Sequence, residues 1–342
     1  MNDAMKVTHQ IETYTSAGDP VLRFRVMNRS GAYMEFSNWG ARWISAFVPD
    51  ARGTLGNVLV GYRDLAGYLT DTYYMGAVIG RFANRISNAS FVIAGKTYSL
   101  EANDGKNTNH GGPSGFHAHL WEWEELSDGI RFSLYSPDGE GGYPGNVSVS
   151  VDYRFSEENT LSVFYRAETD KATYINMTNH AYFNLSGTGE RITEHRLCIP
   201  SDRMLDTTPD FIPTGKILAV SGAPFDFTSP RRIGDVIDTD DRQLHWNRGF
   251  NHTYILKEGK SDSVVLRAAS LLHPETGRQL VVWTDLPAVL LYTAGFYEYP
   301  DTAVCLETQF YPDTPSHAHF PSCLLYPGDI YEHRTLFCFH HE

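Results

Sequence analysis

The sequence has 342 residues, and 28 basic against 41 acidic side chains give it a formal net charge of −13. A chain of this length buries about three quarters of its surface on folding, so it can build a large core without staples. The acidic excess argues against nucleic acid and against an anionic membrane surface as partners, since both attract basic proteins. With 42% hydrophobic and 20% charged residues, the composition is that of a globular protein.

Neither a membrane-spanning segment nor a signal peptide is visible. No apolar run approaches the roughly 20 residues of a spanning helix, and residues 1–15 show no cationic start followed by an apolar stretch. The four cysteines are scattered without Cys-x-x-Cys spacing: Cys198, Cys305, Cys323 and Cys338. Scattered thiols are typical of reduced cysteines. The sequence therefore predicts a cytoplasmic protein.

Strand-like segments follow one another along the chain, and helical periodicity is scarce. In chain order, the sequence predicts strands or hairpins at Leu22–Val26, Ser90–Leu100 (with a turn at Ala94-Gly95-Lys96), Ile130–Tyr135, Asn146–Glu168, His252–Leu256, Ser263–Ala268, Leu280–Thr284 and Ala288–Ala294. Two segments are long enough for a helical turn or two: Leu65–Leu69 and Ile233–Ile237.

The clearest pattern lies in Asn146–Glu168. Polar and hydrophobic residues alternate from Asn146 to Phe155, the polar segment Ser156–Thr160 interrupts, and the alternation resumes at Leu161. A period of two is typical of a strand with one buried and one solvated face. With no linker or repeat elsewhere, the chain is predicted to be an all-β protein with two packed antiparallel sheets, in a single domain over residues 1–342.

One histidine-rich segment resembles a metal site. His117-x-His119 followed by Glu124 fits the first metal motif of cupins, in which imidazole and carboxylate groups bind a transition metal. The second half of that motif needs a histidine, and none lies near Pro144-Gly145. We therefore expect no metal here. Phosphate-binding glycine loops are also absent from the sequence.

Four segments are dense in hydrogen-bonding side chains: Gly80–Ile86, Asn107–Gly112, Asn176–Leu185 and Cys305–Asp313. Burying such segments is costly unless their polar groups find partners. Amides, arginine, imidazole and flanking aromatic rings together suit a sugar-binding cleft. They also suit a buried network that only ties loops together, and the residue types do not separate these two interpretations.

These four segments resemble those of the galactose mutarotase (aldose 1-epimerase) family. The shared motifs are Gly-Arg-x-Ala-Asn-Arg-Ile, Asn-x-x-His-Gly-Gly, Thr-Asn-His-x-Tyr-Phe-Asn-Leu and Cys-Leu-Glu-Thr-Gln-x-x-Pro-Asp, in the family order. The resemblance spans nearly the whole chain. It implies a large antiparallel β-sandwich of the galactose mutarotase type, a supersandwich. The family lacks histidine after its Gly-Phe, which further weakens the cupin interpretation.

The resemblance also implies a reaction and a set of residues. The family interconverts the α and β anomers of a free aldose, and no metal or organic cofactor is required. By resemblance, Glu307 is the general base and His180 the general acid, while His110, Arg85 and Asn84 bind the sugar. The expected partner is one neutral monosaccharide, and the expected assembly is a monomer or a homodimer.

Two residues depart from the family pattern. Asn251, expected to bind substrate, stands where the family usually has Asp, and Leu290 stands where it often has Gln. Both changes spare the acid–base pair, so we expect mutarotation with a preference shifted away from galactose and glucose. Two alternatives stay open. A sugar-phosphate epimerase of the same fold needs basic residues around the site, and a non-catalytic sugar sensor is expected to have lost His180 or Glu307.

Overall fold

The computed structural model describes residues 5–256 and 264–341. Within them the strands are β1 (Lys6–Tyr14), β2 (Pro20–Met27), β3 (Tyr33–Ser37), β4 (Arg42–Pro49), β5 (Leu55–Asn57), β6 (Val78–Ile79), β7 (Arg85–Ile86), β8 (Ser90–Ile93), β9 (Lys96–Ser99), β10 (Thr108–Asn109), β11 (Glu122–Leu126), β12 (Gly129–Ser136), β13 (Val147–Phe155), β14 (Thr160–Thr169), β15 (Thr173–Tyr174), β16 (Thr178–Asn179), β17 (Arg196–Cys198), β18 (Arg203–Thr207), β19 (Pro213–Ala219), β20 (Arg231–Arg232), β21 (Asn251–Ile255), β22 (Leu266–Leu272), β23 (Arg278–Thr284), β24 (Ala288–Tyr292), β25 (Cys305–Gln309), β26 (Leu324–Leu325) and β27 (Tyr331–His341). The α-helices are α1 (Leu65–Leu69) and α2 (Arg242–Asn247). No helix of the described residues is long and apolar enough to cross a membrane.

Three large sheets dominate, and all neighbouring strands within them run antiparallel. One has the order β1-β2-β3-β4-β5, and the largest has the order β11-β12-β13-β14-β27-β23-β22-β17-β20. The third has the order β19-β18-β21-β24-β25. This arrangement confirms the predicted antiparallel all-β fold.

Aromatic side chains join the first sheet to the largest one. Phe36 of β3 lies 4.5 Å from Tyr153 of β13 between ring centroids, and Trp43 of β4 lies 5.2 Å from Phe337 of β27. All four side chains are almost fully buried. Large rings buried between facing sheets contribute most of the apolar area of such a core, so the two sheets pack as a sandwich.

Most predicted elements are confirmed. The Asn146–Glu168 hairpin is β13–β14, the Ser90–Leu100 hairpin is β8–β9, and helix α1 has the predicted bounds. Ile233–Ile237 contains one 3-10 turn. The strand predicted at Ser263–Ala268 begins at Leu266 and extends further, and Ser263 lies outside the described residues. Helix α2 was not predicted; the Asp241 carboxylate caps it by accepting hydrogen bonds from two backbone N–H groups.

Candidate active site

A cavity of about 310 Å³ opens beside the third sheet. Its lining combines polar and aromatic side chains with one leucine, from well-separated parts of the chain: Thr72, Tyr73, Tyr74, Asn84, Arg85, Asp104, Asn109, His110, His180, Tyr182, Phe211, Asn251, Leu290, Tyr292, Phe296 and Glu307. All six residues predicted from the sequence belong to this lining. The structure therefore brings together segments that lie more than 200 residues apart.

The floor of the cavity is one face of β21, β24 and β25. Glu307 is paired with Leu290, and Asn251 is paired with Tyr292. Directly paired residues of antiparallel strands project from the same face of a sheet. Glu307 therefore shares this floor with Leu290 and Asn251, the two residues that depart from the family pattern.

The carboxylate of Glu307 faces the imidazole of His180. Oε1 of Glu307 lies 3.5 Å from Nε2 of His180, and both side chains are at most 5% exposed. His180 directly follows β16 and extends its pairing, since its backbone N–H donates to the carbonyl of Ala77. Both residues are thus held by backbone pairing, Glu307 within β25 and His180 at the end of β16, and this fixes the distance between their side chains.

Burial changes the acidity of both groups in opposite directions. It raises the pKa of Glu307 to about 8, although the positive charge of Arg85 opposes the shift. It also lowers the pKa of His180 to about 4, although the residue's own backbone and the charge of Asp71 oppose the shift. Carboxyl and imidazole groups with shifted pKa values in one cavity are typical of acid–base sites.

His110 and Asn84 hold each other in place. The backbone N–H of His110 donates to the carbonyl of Asn84 at 3.1 Å, and the backbone N–H of Asn84 donates to Nδ1 of His110 at 3.2 Å. Because Nδ1 accepts this hydrogen bond, the neutral ring carries its own hydrogen on Nε2. Burial, together with the neighbouring His180 and Arg85, holds the pKa of His110 well below its ordinary value, so this ring is neutral.

Arg85 is positioned by one charge and one ring. Its Nε lies 2.7 Å from Oδ2 of Asp104, and its guanidinium carbon lies 4.7 Å from the ring centroid of Phe211. The two contacts restrict a long, flexible side chain to one direction. A cation is thereby fixed at the cavity.

Aromatic rings cover the sides of the cavity. Tyr182 stacks on His180 at 5.1 Å between centroids, Tyr74 packs against His110 at 4.6 Å, and Phe211 lies 5.6 Å from Phe296. None of these rings is among the site residues predicted from the sequence. Tyr182 belongs to a recognised motif and could have been found there.

The polar segments divide between site and scaffold. The side-chain amide of Asn176 binds the backbone of Ala83 and Phe310, and that of Asn179 binds a backbone carbonyl and the hydroxyl of Tyr153. The guanidinium of Arg81 donates to the Ser136 hydroxyl and to four backbone carbonyls. The interpretation of a buried network that ties loops together therefore holds for these three side chains, whereas other residues of the same segments line the cavity.

The cupin-like residues do not converge. Among the described residues, the His/Cys/Asp/Glu group with metal-like spacing is His110, His180 and Glu307, whose ligand atoms lie within 4.8 Å of one another. That group does not suit a metal, because Nε2 of neutral His110 carries a hydrogen and a metal needs a bare nitrogen. Glu124 is exposed and faces Arg131 instead.

Comparison with known proteins gives consistent matches. The family model described as aldose 1-epimerase matches residues 23–338. Galactose mutarotase of Bos taurus is 40% identical over 318 residues, 90% of each chain, and that of Homo sapiens is 38% identical over 336 residues, 95% of each chain. The crystal structure of galactose 1-epimerase from Lactobacillus acidophilus NCFM is 25% identical, covers 99% of both chains and has a TM-score of 0.86.

Proposed function

Because the chain belongs to the aldose 1-epimerase family of isomerases, we propose that its cavity binds a free aldose whose α and β anomers are interconverted by Glu307 and His180. The observation that carries this proposal is the buried contact of 3.5 Å between the two side chains. It lies at a cavity of about 310 Å³, a volume at the lower end of small-molecule sites that suits one sugar ring.

Opening the sugar ring requires one proton to leave the anomeric hydroxyl and another to reach the ring oxygen. The carboxylate of Glu307 takes the first, and the imidazolium of His180 gives the second. The bond between C1 and the ring oxygen then breaks, and C1 turns about its bond to C2. Closure on the other face returns both protons, so the reaction consumes nothing.

The pair holds the single proton that this reaction needs. Between the pKa of about 4 for His180 and the pKa of about 8 for Glu307, one proton is shared by two groups. In the empty cavity burial favours that proton on the carboxyl group. Sugar hydroxyls that donate to the carboxylate favour transfer of the proton to Nε2 of His180. The result is the reactive form, a carboxylate beside an imidazolium.

The other predicted residues supply hydrogen bonds to the sugar. His110 presents Nε2–H, and Arg85 presents guanidinium N–H groups, so both can stabilise the charge that develops on sugar oxygens. The side-chain oxygen of Asn84 accepts a hydrogen bond from the Arg85 backbone. Its amide N–H groups are therefore the part of Asn84 suited to a sugar hydroxyl.

We extend the proposal to a substrate preference shifted away from galactose and glucose. Leu290 and Asn251 both line the cavity. Compared with the family pattern, an apolar group replaces an amide, and a neutral amide that can donate as well as accept replaces a carboxylate. Steady-state rates across hexoses, pentoses and deoxy sugars test this part. A clear preference for galactose over the others would contradict it.

The sugar-phosphate alternative is less well supported. Arg85 is the one Arg or Lys among the residues that line the cavity, and Asp104 already pairs with it. Arg232 pairs with Glu194 and Asp235. A dianionic phosphate would thus find one cation, already paired. A neutral sugar needs none and also agrees with the net charge of −13.

Polarimetry on freshly dissolved α-aldoses tests the reaction. We expect acceleration above the buffer rate, and loss of at least about 100-fold in His180→Ala and Glu307→Gln, with sugar binding retained. Sugar binding without acceleration would favour the sensor alternative. Acceleration with hexose phosphates alone would favour the sugar-phosphate epimerase alternative.

Three further expectations complete the proposal: a single domain over residues 1–342, a cytoplasmic location, and a monomer or homodimer. One hydrophobic cluster that includes residues from Leu22 to Phe339 supports the single domain. Light scattering of the purified protein measures its assembly.

A further inference from the structure

The two histidines of the cavity have different partners at Nδ1. For His110 the partner is the backbone N–H of Asn84 at 3.2 Å, which can only donate. For His180 it is the thiol sulfur of Cys305 at 3.7 Å, which can accept as well as donate. A neutral imidazole carries one hydrogen, so the partner at Nδ1 decides what Nε2 offers to the cavity.

We propose that these partners hold the two rings in opposite tautomers, with Cys305 as the positioning residue that accepts Nδ1–H of His180. His110 then presents a fixed Nε2–H donor, whereas His180 presents a bare Nε2 that exchanges a proton with Glu307. The tautomers follow from the contacts of the two rings and the burial of Glu307, but their catalytic meaning rests on the function proposed above.

Two contacts of His180 place its hydrogen on Nδ1. On one side, burial keeps Glu307 protonated, its carboxyl O–H needs an acceptor, and Nε2 is the nitrogen that faces it at 3.5 Å. On the other side, Nδ1 faces the sulfur of Cys305 at 3.7 Å, an atom that can accept its hydrogen.

Cys305 is suited to accept this hydrogen. It is fully buried, and burial raises the pKa of its thiol well above the ordinary value, so the sulfur stays uncharged. A neutral sulfur accepts Nδ1–H without adding a second negative charge beside Glu307. Cys305 and Glu307 are alternate residues of β25 and share one face, so one strand supplies the neighbours of both ring nitrogens.

Opposite tautomers give the two rings different tasks. When Nε2 of His180 takes a proton, the ring becomes an imidazolium; when it gives that proton to the sugar ring oxygen, it returns to the same neutral tautomer. His110 cannot run this cycle, because a hydrogen on its Nδ1 would face the N–H of Asn84. His180 therefore transfers the proton, and His110 contributes a hydrogen bond.

Nitrogen NMR of the ¹⁵N-histidine-labelled full chain reads the tautomers directly. Two-bond ¹H–¹⁵N spectra near neutral pH, with signals assigned by His180→Gln and His110→Gln, should show Nδ1–H in His180 and Nε2–H in His110. Nε2–H in neutral His180 would overturn the proposal. This measurement requires no turnover, so opposite tautomers in a protein without mutarotation would refute the proposed function and leave this inference intact.

Variants of Cys305 test its part. Cys305→Ala should lower kcat about tenfold with KM within about twofold, and should raise the share of Nε2–H in His180. Cys305→Ser keeps an acceptor and should retain kcat within about threefold. Cys323→Ala, another buried cysteine that does not line the cavity, is the control. If Cys305→Ala matches this control in tautomer and kcat, the positioning role is wrong; if it fails to fold, the Cys305→Ser spectrum decides between the two tautomers.

Discussion

Leu290 and Glu307 lie directly opposite each other on β24 and β25, so an isobutyl side chain stands beside the carboxyl group proposed as the base. The Cβ atoms of such a pair are about 4.5–5.5 Å apart. Leu290 offers no hydrogen bond, and Oε2 of Glu307 has no hydrogen-bond partner among the described residues. An apolar neighbour thus adds to the burial that raises the pKa of Glu307.

Replacing Leu290 by Gln should reverse part of this effect. The new amide can donate to the carboxylate, so we expect the pKa of Glu307 to fall from about 8 and the alkaline limb of kcat/KM to move down by about one pH unit. We also expect fully hydroxylated hexoses to gain on deoxy sugars. Leu290→Met keeps the apolar surface and is the matched control. An alkaline limb equal in the two variants would contradict this prediction.

The pH profile of the wild-type protein should be a broad plateau. With ordinary pKa values of 4.5 for Glu and 6.5 for His, the pair would hold one proton over a narrow range; burial widens the range to between about 4 and about 8. We expect kcat/KM to fall below the lower value, where both groups are protonated, and above the upper one, where both are bare. Mutarotation rates corrected for buffer catalysis should show this plateau, and a rise of kcat/KM above the upper pKa would refute the prediction.

Glu307→Gln should stabilise the fold at high pH while it abolishes turnover. The pKa of Glu307 is 4.5 in the ordinary state and about 8 when folded, so folding loses stability as the pH rises between these values. The neutral amide avoids this loss. Above the folded-state pKa of Glu307, we expect the free energy of unfolding of Glu307→Gln to exceed that of the wild type by about 1–3 kcal/mol. Below the ordinary pKa, the difference between the two proteins should not change with pH. Urea unfolding at several pH values measures it, with exposed Glu124→Gln as control; equal pH dependence in both would contradict it.

Asp104→Asn should weaken sugar binding more than chemistry. The change removes the carboxylate that lies 2.7 Å from Arg85, so the guanidinium loses its fixed direction. We expect KM to rise by about three- to tenfold and kcat to stay within about twofold. Asp128→Asn breaks a surface pair of the same length with Arg154 and serves as control. Steady-state parameters equal in the two variants would show that the Asp104 contact is not needed.

Strands with an alternating pattern could be predicted from the sequence, whereas β4, which is buried on both faces, was missed. In β13 burial alternates along the strand, so the hydrophobic period of two is visible. In β4 almost every residue is buried, including Arg42, whose charge is matched by Asp71 at 2.7 Å. Without an exposed face there is no alternation to detect.

The site was predictable where a motif carried it. His180 and Glu307 lie within recognised motifs, and the structure places both at the cavity. Asp104, Phe211 and Phe296 reach the same cavity from loops with no motif or periodicity. Their position depends on how distant segments fold together, which local sequence does not encode.

The placement of Cys305 and Glu307 on a single strand bears on how the protein can diverge. A strand paired within a sheet tolerates little displacement. The Cys305 sulfur and the Glu307 carboxyl group, on either side of the His180 ring, therefore keep their positions together. The loops that carry Asp104 and Phe211 can change in sequence without displacing that strand. A lineage can therefore change which sugar it accepts while it keeps the reaction.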